Sequence, residues 1–501
     1  MWSDFRCGHA ARVTFSTAET ESSPWLVFRA LHETPYALLL LGQHTPSYLL
    51  SEPNLIFVAK GQQTKLILPQ QEWSWEGQDP LLLLNELLEQ IESSTPVHSA
   101  APETTALFGY FGYESARYVE PHLSFRQPDP YGLPDILLLR FKNIHKFTPL
   151  NEPFTANFPK RFCVQTITLE DLPLFHHRQL RHCPLMENPM PASAEDMLRP
   201  LSDDGLQSHI SRQEYVARVQ QVRAWIAQGD IYQANFTYRL SRCFTGSPYE
   251  LFLRYYQRNP SEYFAYWNTP GAQILSASPE RFLQTFGQKI LATPIKGTSA
   301  RAPDANRDRQ SRERLWRSEK DNAELNMITD LLRNDLHRVC LPGSVQVEAA
   351  KNILSLSNVH HLYSTITGRL VPGTSAVDIV KACFPSGSIT GCPKLRSIEL
   401  LSQLELHQRA VYTGSIGFVA RDQLHLNVAI RTAIAQRRSL HFHVGGGVVW
   451  DSDPGLEWAE TKAKARTFAG LVETLPDALT DAKHFAGDRD AGKEALRNQH
   501  K

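Results

Sequence analysis

The chain has 501 residues, more than one hydrophobic core usually supports, so two domains or one large layered body is expected. Its 52 lysines and arginines cancel its 52 aspartates and glutamates, which leaves no overall field to hold a nucleic-acid backbone or an anionic membrane. No apolar run approaches the roughly 18 residues needed to cross a bilayer, and MWSDFRCGHAARV is not followed by the apolar core of a signal peptide, so a cytoplasmic protein with a small-molecule or protein partner is expected.

Residues 1–195 mix apolar runs such as YALLLL and LPDILLLRF with the aromatic-glycine cluster FGYFGYESARYVE, and read as an N-terminal region of strands, turns and a few helices. Residues 184–205, rich in Pro, Ser and Asp, lack helical or strand periodicity and read as an exposed connection. A catalytic domain is expected over 206–474. Residues 475–501 hold almost no large apolar side chains and are expected to be disordered. The seven scattered cysteines include no C-x-x-C, which argues against a disulfide framework or a thiolate zinc site and predicts reduced, mostly buried thiols.

Within 206–474, Ser211 and Glu214 form a capping-box pattern, and Val216, Val219, Val222 and Ile226 repeat at helical spacing up to Gly229. In DIYQANFTYRL, Tyr232, Ala234, Phe236, Tyr238 and Leu240 alternate with Gln233, Asn235, Thr237 and Arg239, which predicts a strand with one polar face. LATPIKGTSAR then sets Lys296 between an apolar strand-like run and a Gly-Thr turn; on this fragment alone it reads as a solvated lysine at a strand end. SEKDNAELNMITDLLRNDL carries Asp321 and Glu324 at i, i+3 spacing, on one face of a helix.

In PSGSITGCPKLRSIELL, a turn of small residues runs into Pro393 at a helix start, so backbone N–H groups at Thr390, Gly391 and Cys392 could cradle an anion. HLNVAIRTAIA reads as a strand with Leu426, Val428, Ile430 and Ile434 on one face and Asn427, Ala429, Arg431 and Ala433 on the other. Arg431, flanked by alanines, has room to grip a carboxylate with its fork or to form a structural ion pair. Gly445 to Gly447 lack a nucleotide-binding fingerprint and read as a tight bend. Asp453 as N-cap and Pro454 in the first turn start a helix with Glu457 and Glu460 on one face. Singly, each acidic pair reads as a solvated face; together the two could converge on a hard divalent cation such as Mg2+, completed by water and substrate oxygens. The whole set suits a small polyanionic substrate.

These motifs resemble the chorismate-utilising enzymes, and within them the component I subunits of aminodeoxychorismate synthases. The resemblance is carried in order by GDIYQANFTYRL, SASPERF, PIKGT, SEKDNAELNMITDLLRNDLHRV, VHHLYSTITGRL, FPSGSITGCPK, YTGSIGF, NVAIRT and GGGVVWDSDPGLEWAETKAKA, over about residues 210–473. It implies an α+β fold of two large, mostly antiparallel β-sheets packed together with flanking helices. It also implies the substrate chorismate, the cofactor Mg2+, and ammonia delivered by a separate glutamine amidotransferase subunit in a heterodimer. Consistent with that, no cysteine lies in a G-x-C-x-G context, and the stretch after residue 474 is too short for a product-processing lyase.

The resemblance assigns roles residue by residue. The lysine of P-I-K-G-T, where anthranilate synthases carry alanine, makes Lys296 the nucleophile at C2 of chorismate. Glu280 of SPERF becomes the general acid that protonates the departing C4 hydroxyl. Glu324 and Glu457 match Mg2+ ligands, with Asp321 and Glu460 in support. Arg431, Tyr412, Thr390, Gly391 and Gly446 match the pocket for the enolpyruvyl carboxylate, His361 a ring contact and Lys464 a site lysine. Gln233 stands where water-using members place a lysine base, which argues against isochorismate or salicylate synthesis. Cys392 and Trp450 replace smaller residues usual in the family and bear on pocket shape. The competing readings are an anthranilate synthase component I and a catalytically silent chorismate-binding subunit.

Overall fold

The computed structural model describes residues 12–20, 22–42, 45–95, 101–150, 161–170, 199–200, 206–258, 261–356 and 359–472. Apart from Arg199–Pro200, the expected connection at 184–205 and the tail after 474 lie outside the described residues.

Alternation along the strands defines the layers. In the strand Ile136–Pro149, Leu137, Leu139 and Phe141 enter an inner core, while Ile136 and Leu138 face a second core shared with the helices Pro80–Ser94 and Ala376–Cys383. In Tyr263–Thr269, Ala265 and Trp267 join the same inner core, whereas Phe264 and Tyr266 face a third core packed by the helices Arg212–Gln228 and Pro248–Arg258. A period of two sends successive side chains to opposite faces, so the inner core lies between two sheet layers and the helices cover the outer faces. This is the α+β architecture expected: the named strand pairs are antiparallel, and hydrogen bonds link the two layers into one continuous system.

The N-terminal region is woven into that system. Leu38–Leu41 pairs with Tyr263–Thr269, and Leu107–Phe111 pairs with Ser415–Val419. Among the described residues no helix is long and apolar enough to cross a membrane.

Local signals place several elements as read. Ser211 and Glu214 make a reciprocal capping box, and the helix Arg212–Gln228 stops at Gly229 in the left-handed conformation that glycine adopts without steric cost. Asp453 accepts from the Leu456 N–H at the start of Pro454–Val472. Gln233–Cys243 is a strand, its polar face buried as well as its apolar one.

Three readings are corrected. HLNVAIRTAIA is two strands, Leu424–Asn427 and Thr432–Gln436, because the backbone breaks at Arg431, which has a φ of 51°. Across that break the faces change: Leu426 and Val428 pack on the helix-covered core, whereas Ile434 enters the inner one. Gly445 to Gly447 are not a bend but part of the strand Ser439–Val448, paired with Asn235 to Thr237. A side chain at Gly445 would overlap the Phe236 carbonyl, so close strand approach is what requires glycine there. Of the described cysteines, all free, only Cys340 and Cys383 are buried; Cys163 and Cys392 are half-buried and Cys243 is exposed.

Candidate active site

Lys296 lies on the strand Ile295–Ala300, which pairs with Val359–Arg369; the register shifts between Lys296 and Thr298, where Gly297 has a φ of 68°. The Lys-Gly-Thr sequence is therefore a β-bulge, with Lys296 opposite Leu362 and Thr298 opposite His361. The Lys296 Nζ donates to the Ser388 carbonyl at 2.8 Å. Burial pulls its pKa below the ordinary lysine range, opposed by Glu324 and Glu280 and reinforced by Lys464.

Glu280 is 3 % exposed. Burial raises its pKa to about 7 against the pull of Lys296 and of hydrogen bonds from the Ser388 hydroxyl and the Ile295 N–H. Its own backbone is fixed by Ser278 and by the Val428 N–H, so the carboxyl sits on a rigid turn. Ser388 thus meets both groups, the amine through its carbonyl and the carboxyl through its hydroxyl.

The acidic helix Glu319–His337, capped by Ser318, passes beside the bulge: a Cβ on Gly297 would lie 3.0 Å from the Asp321 carboxyl. Burial raises the Glu324 pKa, opposed by Lys296 and Lys320 and aided by Asp321 and Glu457. Glu457, 4 % exposed, accepts from the Ser452 hydroxyl at 2.7 Å and lies 3.5 Å from Lys320. Although burial works against it, the Lys320 pKa is raised by Glu457, Glu324 and Glu460. Glu460 pairs with Lys464 at 2.8 Å; burial would raise its pKa, but Lys464, Lys320 and Lys296 bring it down. Lys464 also donates to the Gly445 carbonyl, and a Cβ on Gly446 would lie 3.3 Å from Glu457 Oε2 and 3.7 Å from Lys464 Nζ. Among the described residues, no three His, Cys, Asp or Glu side chains draw close enough to hold a metal ion. Mg2+ ordinarily takes only one or two protein carboxylates and fills its shell with water and substrate oxygens, so a hard oxygen pair of Glu324 and Glu457 fits that ion.

On the other side, His361 lies opposite Thr298, with Nδ1 2.9 Å from Thr298 Oγ1 and 3.3 Å from the Gly297 carbonyl. Arg431 Nη2 approaches His361 Nε2 at 3.3 Å. Burial and Arg431 lower the His361 pKa to about 3, so the ring is neutral; with Nε2 facing a guanidinium, the proton belongs on Nδ1. Thr390 and Gly391 are buried, Gly391 pairing with Ala234 and Cys392 with Gln233. Gln233 is 1 % exposed, and its Oε1 has no hydrogen-bond donor among the described residues. Tyr412 stacks on His443 at 5.4 Å, and burial lifts its pKa to about 12 against the pull of Arg409. The Trp450 side chain is 55 % exposed.

The structure thus brings Glu280, Glu324, Glu460 and Lys464 within electrostatic reach of Lys296, sets Asp321 and Glu457 beside Glu324, and places His361 on the strand paired with Lys296, with Arg431 against it. Gly446 borders the acidic cluster, while Gln233, Thr390 and Gly391 lie on segments linked through backbone hydrogen bonds, and the Tyr412 turn reaches them through the Arg409 side chain. Sequence reasoning missed Ser388, Ser452, Lys320 and Arg409. Ser388 lay inside the quoted PSGSITG turn, and Lys320 directly precedes Asp321; each was visible only as a neighbour of a residue already singled out.

A lysine whose pKa burial lowers and a carboxyl whose pKa burial raises to about 7 stand beside a carboxylate cluster on a two-layer antiparallel scaffold. Residues 41–470 match the chorismate binding enzyme family, and the chain belongs to that family. It is 31% identical over 466 residues to aminodeoxychorismate synthase component 1 of Klebsiella aerogenes, covering 90% of this chain and 98% of that one. It is 32% identical over 485 residues to anthranilate synthase component 1 of Synechocystis sp., covering 91% and 94%. The crystal structure of anthranilate synthase component I from Streptococcus pneumoniae superposes with a TM-score of 0.67 at 26% identity, over 85% of this chain and 92% of that one.

Proposed function

We propose that this chain is the component I subunit of an aminodeoxychorismate synthase, acting in the cytoplasm on chorismate and ammonia to give 4-amino-4-deoxychorismate for 4-aminobenzoate and folate synthesis. The observation that carries the reading is Lys296: an amine held against Ser388, depressed in pKa by burial and adjacent to the carboxyl of Glu280. A lysine can attack carbon only when neutral, and an acid can protonate a leaving hydroxyl only when it holds its proton. Burial favours both forms.

In this mechanism the Lys296 nitrogen bonds to C2 of chorismate while the C4–O bond breaks. Glu280 delivers its proton to the departing hydroxyl, which leaves as water, and the resulting carboxylate takes the surplus proton from the Lys296 nitrogen. Ammonia then bonds to C4 as the C2–N bond breaks; the electron pair returns to Lys296, whose nitrogen takes the Glu280 proton, and the surplus proton of the new C4 ammonium restores the Glu280 carboxyl. Arg431 and Tyr412 hold the enolpyruvyl carboxylate, and neutral His361 lies against the ring. Glu324 and Glu457 would hold Mg2+, with Asp321 and Glu460 in support; when bound, the ion supplies positive charge to the ring carboxylate. Ammonia comes from a separate glutamine amidotransferase subunit or from free ammonium.

A second reading, anthranilate synthase component I, is favoured by relatives of that name at the same level of identity. Product analysis decides between them. The purified chain is supplied with chorismate, Mg2+ and excess ammonium, and the product is read by mass spectrometry and fluorescence. A non-fluorescent aminated product that keeps the enolpyruvyl group is expected. Fluorescent anthranilate would overturn the reading in favour of the second, and binding without turnover would favour a silent subunit. Lys296→Ala is expected to abolish this amination while chorismate still binds.

A further inference from the structure

Arg409 has no role in the chemistry above, yet it is 1 % exposed and places all five of its guanidinium N–H donors. Nε and Nη2 make a fork on Glu405, at 2.9 and 2.7 Å. Nη2 also donates to the Asn235 carbonyl at 2.8 Å, and Nη1 to the Ile389 carbonyl at 2.9 Å and to Thr413 Oγ1 at 3.2 Å. Glu405 completes the arrangement by accepting from both the N–H and the hydroxyl of Thr237.

Each carbonyl or hydroxyl so held is next to, or two residues from, a group assigned to substrate. Ile389 lies between Ser388, which receives Lys296, and Thr390. Asn235 is two residues beyond Gln233, and its N–H donates to the Thr390 carbonyl at 2.8 Å. Thr413 follows Tyr412. One planar cation therefore ties the Tyr412 turn to two other backbone segments, the Gln233 strand and the Ser388–Gly391 turn, which also pair with each other. The surroundings show the need: Ala410 and Thr413 have φ of 53° and 61°, conformations that non-glycine residues hold only when their environment over-determines them.

The N-terminal region closes the arrangement. The Tyr113 ring lies under the guanidinium, 4.2 Å from Cζ, and the Glu114 carboxyl accepts from the backbone N–H groups of Arg409 and Ala410 at 2.8 and 3.0 Å.

We propose that Arg409 is a positioning residue for the chorismate pocket: its guanidinium fixes the Ser388–Gly391 turn, the start of the Gln233 strand and the Tyr412 turn, and the N-terminal region enters this clamp through Tyr113 and Glu114. The inference rests on the chorismate reading above. Lysine at 409 would keep the charge but has neither the planar fork nor enough donors to reach Glu405, Asn235, Ile389 and Thr413 together.

The test measures chorismate affinity by calorimetry with Mg2+ and no ammonium, in a Lys296→Ala background so that no covalent adduct forms, together with Mn2+ affinity and thermal melting. Arg409→Lys is expected to weaken chorismate binding about tenfold or more, the scale of losing one or two hydrogen bonds to charged groups, while Mn2+ affinity stays unchanged. Thr413→Val, which keeps the shape but removes the acceptor for Arg409 and the hydroxyl's own bond to the Tyr412 carbonyl, is expected to weaken it about threefold, and stands in if Arg409→Lys does not fold. Folded variants that bind chorismate as tightly as the parent would overturn the clamp. A parent that binds chorismate while the unmutated chain forms no aminodeoxychorismate would sink the function reading alone.

Discussion

Lys296 and Ser388 are joined at 2.8 Å through the serine carbonyl, while the serine hydroxyl pulls the Glu280 pKa down. One residue therefore contacts both the nucleophile and the acid, by atoms that can be separated experimentally. Ser388→Ala leaves the carbonyl in place and removes only the hydroxyl. A hydroxyl donating to a carboxylate favours its ionised form, so its loss raises the Glu280 pKa further. The basic limb of the pH–rate profile is expected to move up by about one pH unit, the size of one hydrogen bond to a charged group. An unmoved limb would separate Glu280 from the rate.

The two groups give opposite pH limbs. Glu280 must be protonated, and with a pKa of about 7 its active fraction falls as pH rises through that value. Lys296 must be neutral, so its active fraction falls as pH drops, from a pKa below that of an ordinary lysine. Glu280→Gln is expected to cost on the order of 10²- to 10⁴-fold in rate and to abolish the decline above pH 7. A rate profile measured from pH 5.5 to 9 checks both, and a retained basic limb would mean that another group is the acid.

What the sequence discloses is what local physics decides. The Ser211 capping box, the stop at Gly229 and the two-faced strand after Gln233 are set by neighbours a few residues away, and they form as read. Arg431 is different: nothing in NVAIRT announces a left-handed residue, and what surrounds it is distant in sequence, the Ala277 N–H on its carbonyl and His361 beside its guanidinium. Gly445 to Gly447 looked like a bend because glycine-rich runs usually are; their reason is the strand pressed against them. Arg409 with Glu405 resembles an ordinary i, i+4 surface pair at a helix exit, and its burial comes from strands far along the chain. The acidic pairs showed their spacing; of the lysines that balance them, Lys464 lies one turn beyond Glu460 and Lys320 directly before Asp321, whereas Lys296 comes from a strand that the spacing does not reveal.

Gly391 tests the close packing of the anion turn. Its φ is 146°, and an added Cβ would overlap the Gln233 carbonyl and the Ser397 side chain. Backbone cannot give way as a flexible side chain can. Gly391→Ala is expected to destabilise the fold by about 2 kcal/mol or more, read by chemical denaturation, and to displace Gln233. Gly446→Ala is the contrast, because the space there is open to a methyl group apart from Glu457 and Lys464. It should leave the denaturation midpoint unchanged while weakening cation and chorismate binding. Equal stability of the two variants would contradict the packing described.

Lys320 lies 3.5 Å from Glu457 and feels Glu324 and Glu460 as well, so its ammonium occupies the field in which a divalent cation would sit. Two cations cannot share those carboxylates without repulsion, and binding of the metal must displace or weaken this ion pair. Because the Lys320 side chain is 52 % exposed, solvent screens the effect and the gain from removing it is modest. Lys320→Met keeps the apolar stem and deletes the charge. Mn2+ binding to the free chain, followed by electron paramagnetic resonance, is expected to tighten about threefold, with the same sign for Mg2+ by calorimetry. Glu457→Gln should do the reverse and weaken Mn2+ binding tenfold or more, on the order of the loss of one charged ligand. Weaker Mn2+ binding in Lys320→Met would show that the lysine supports the metal position rather than competing for it.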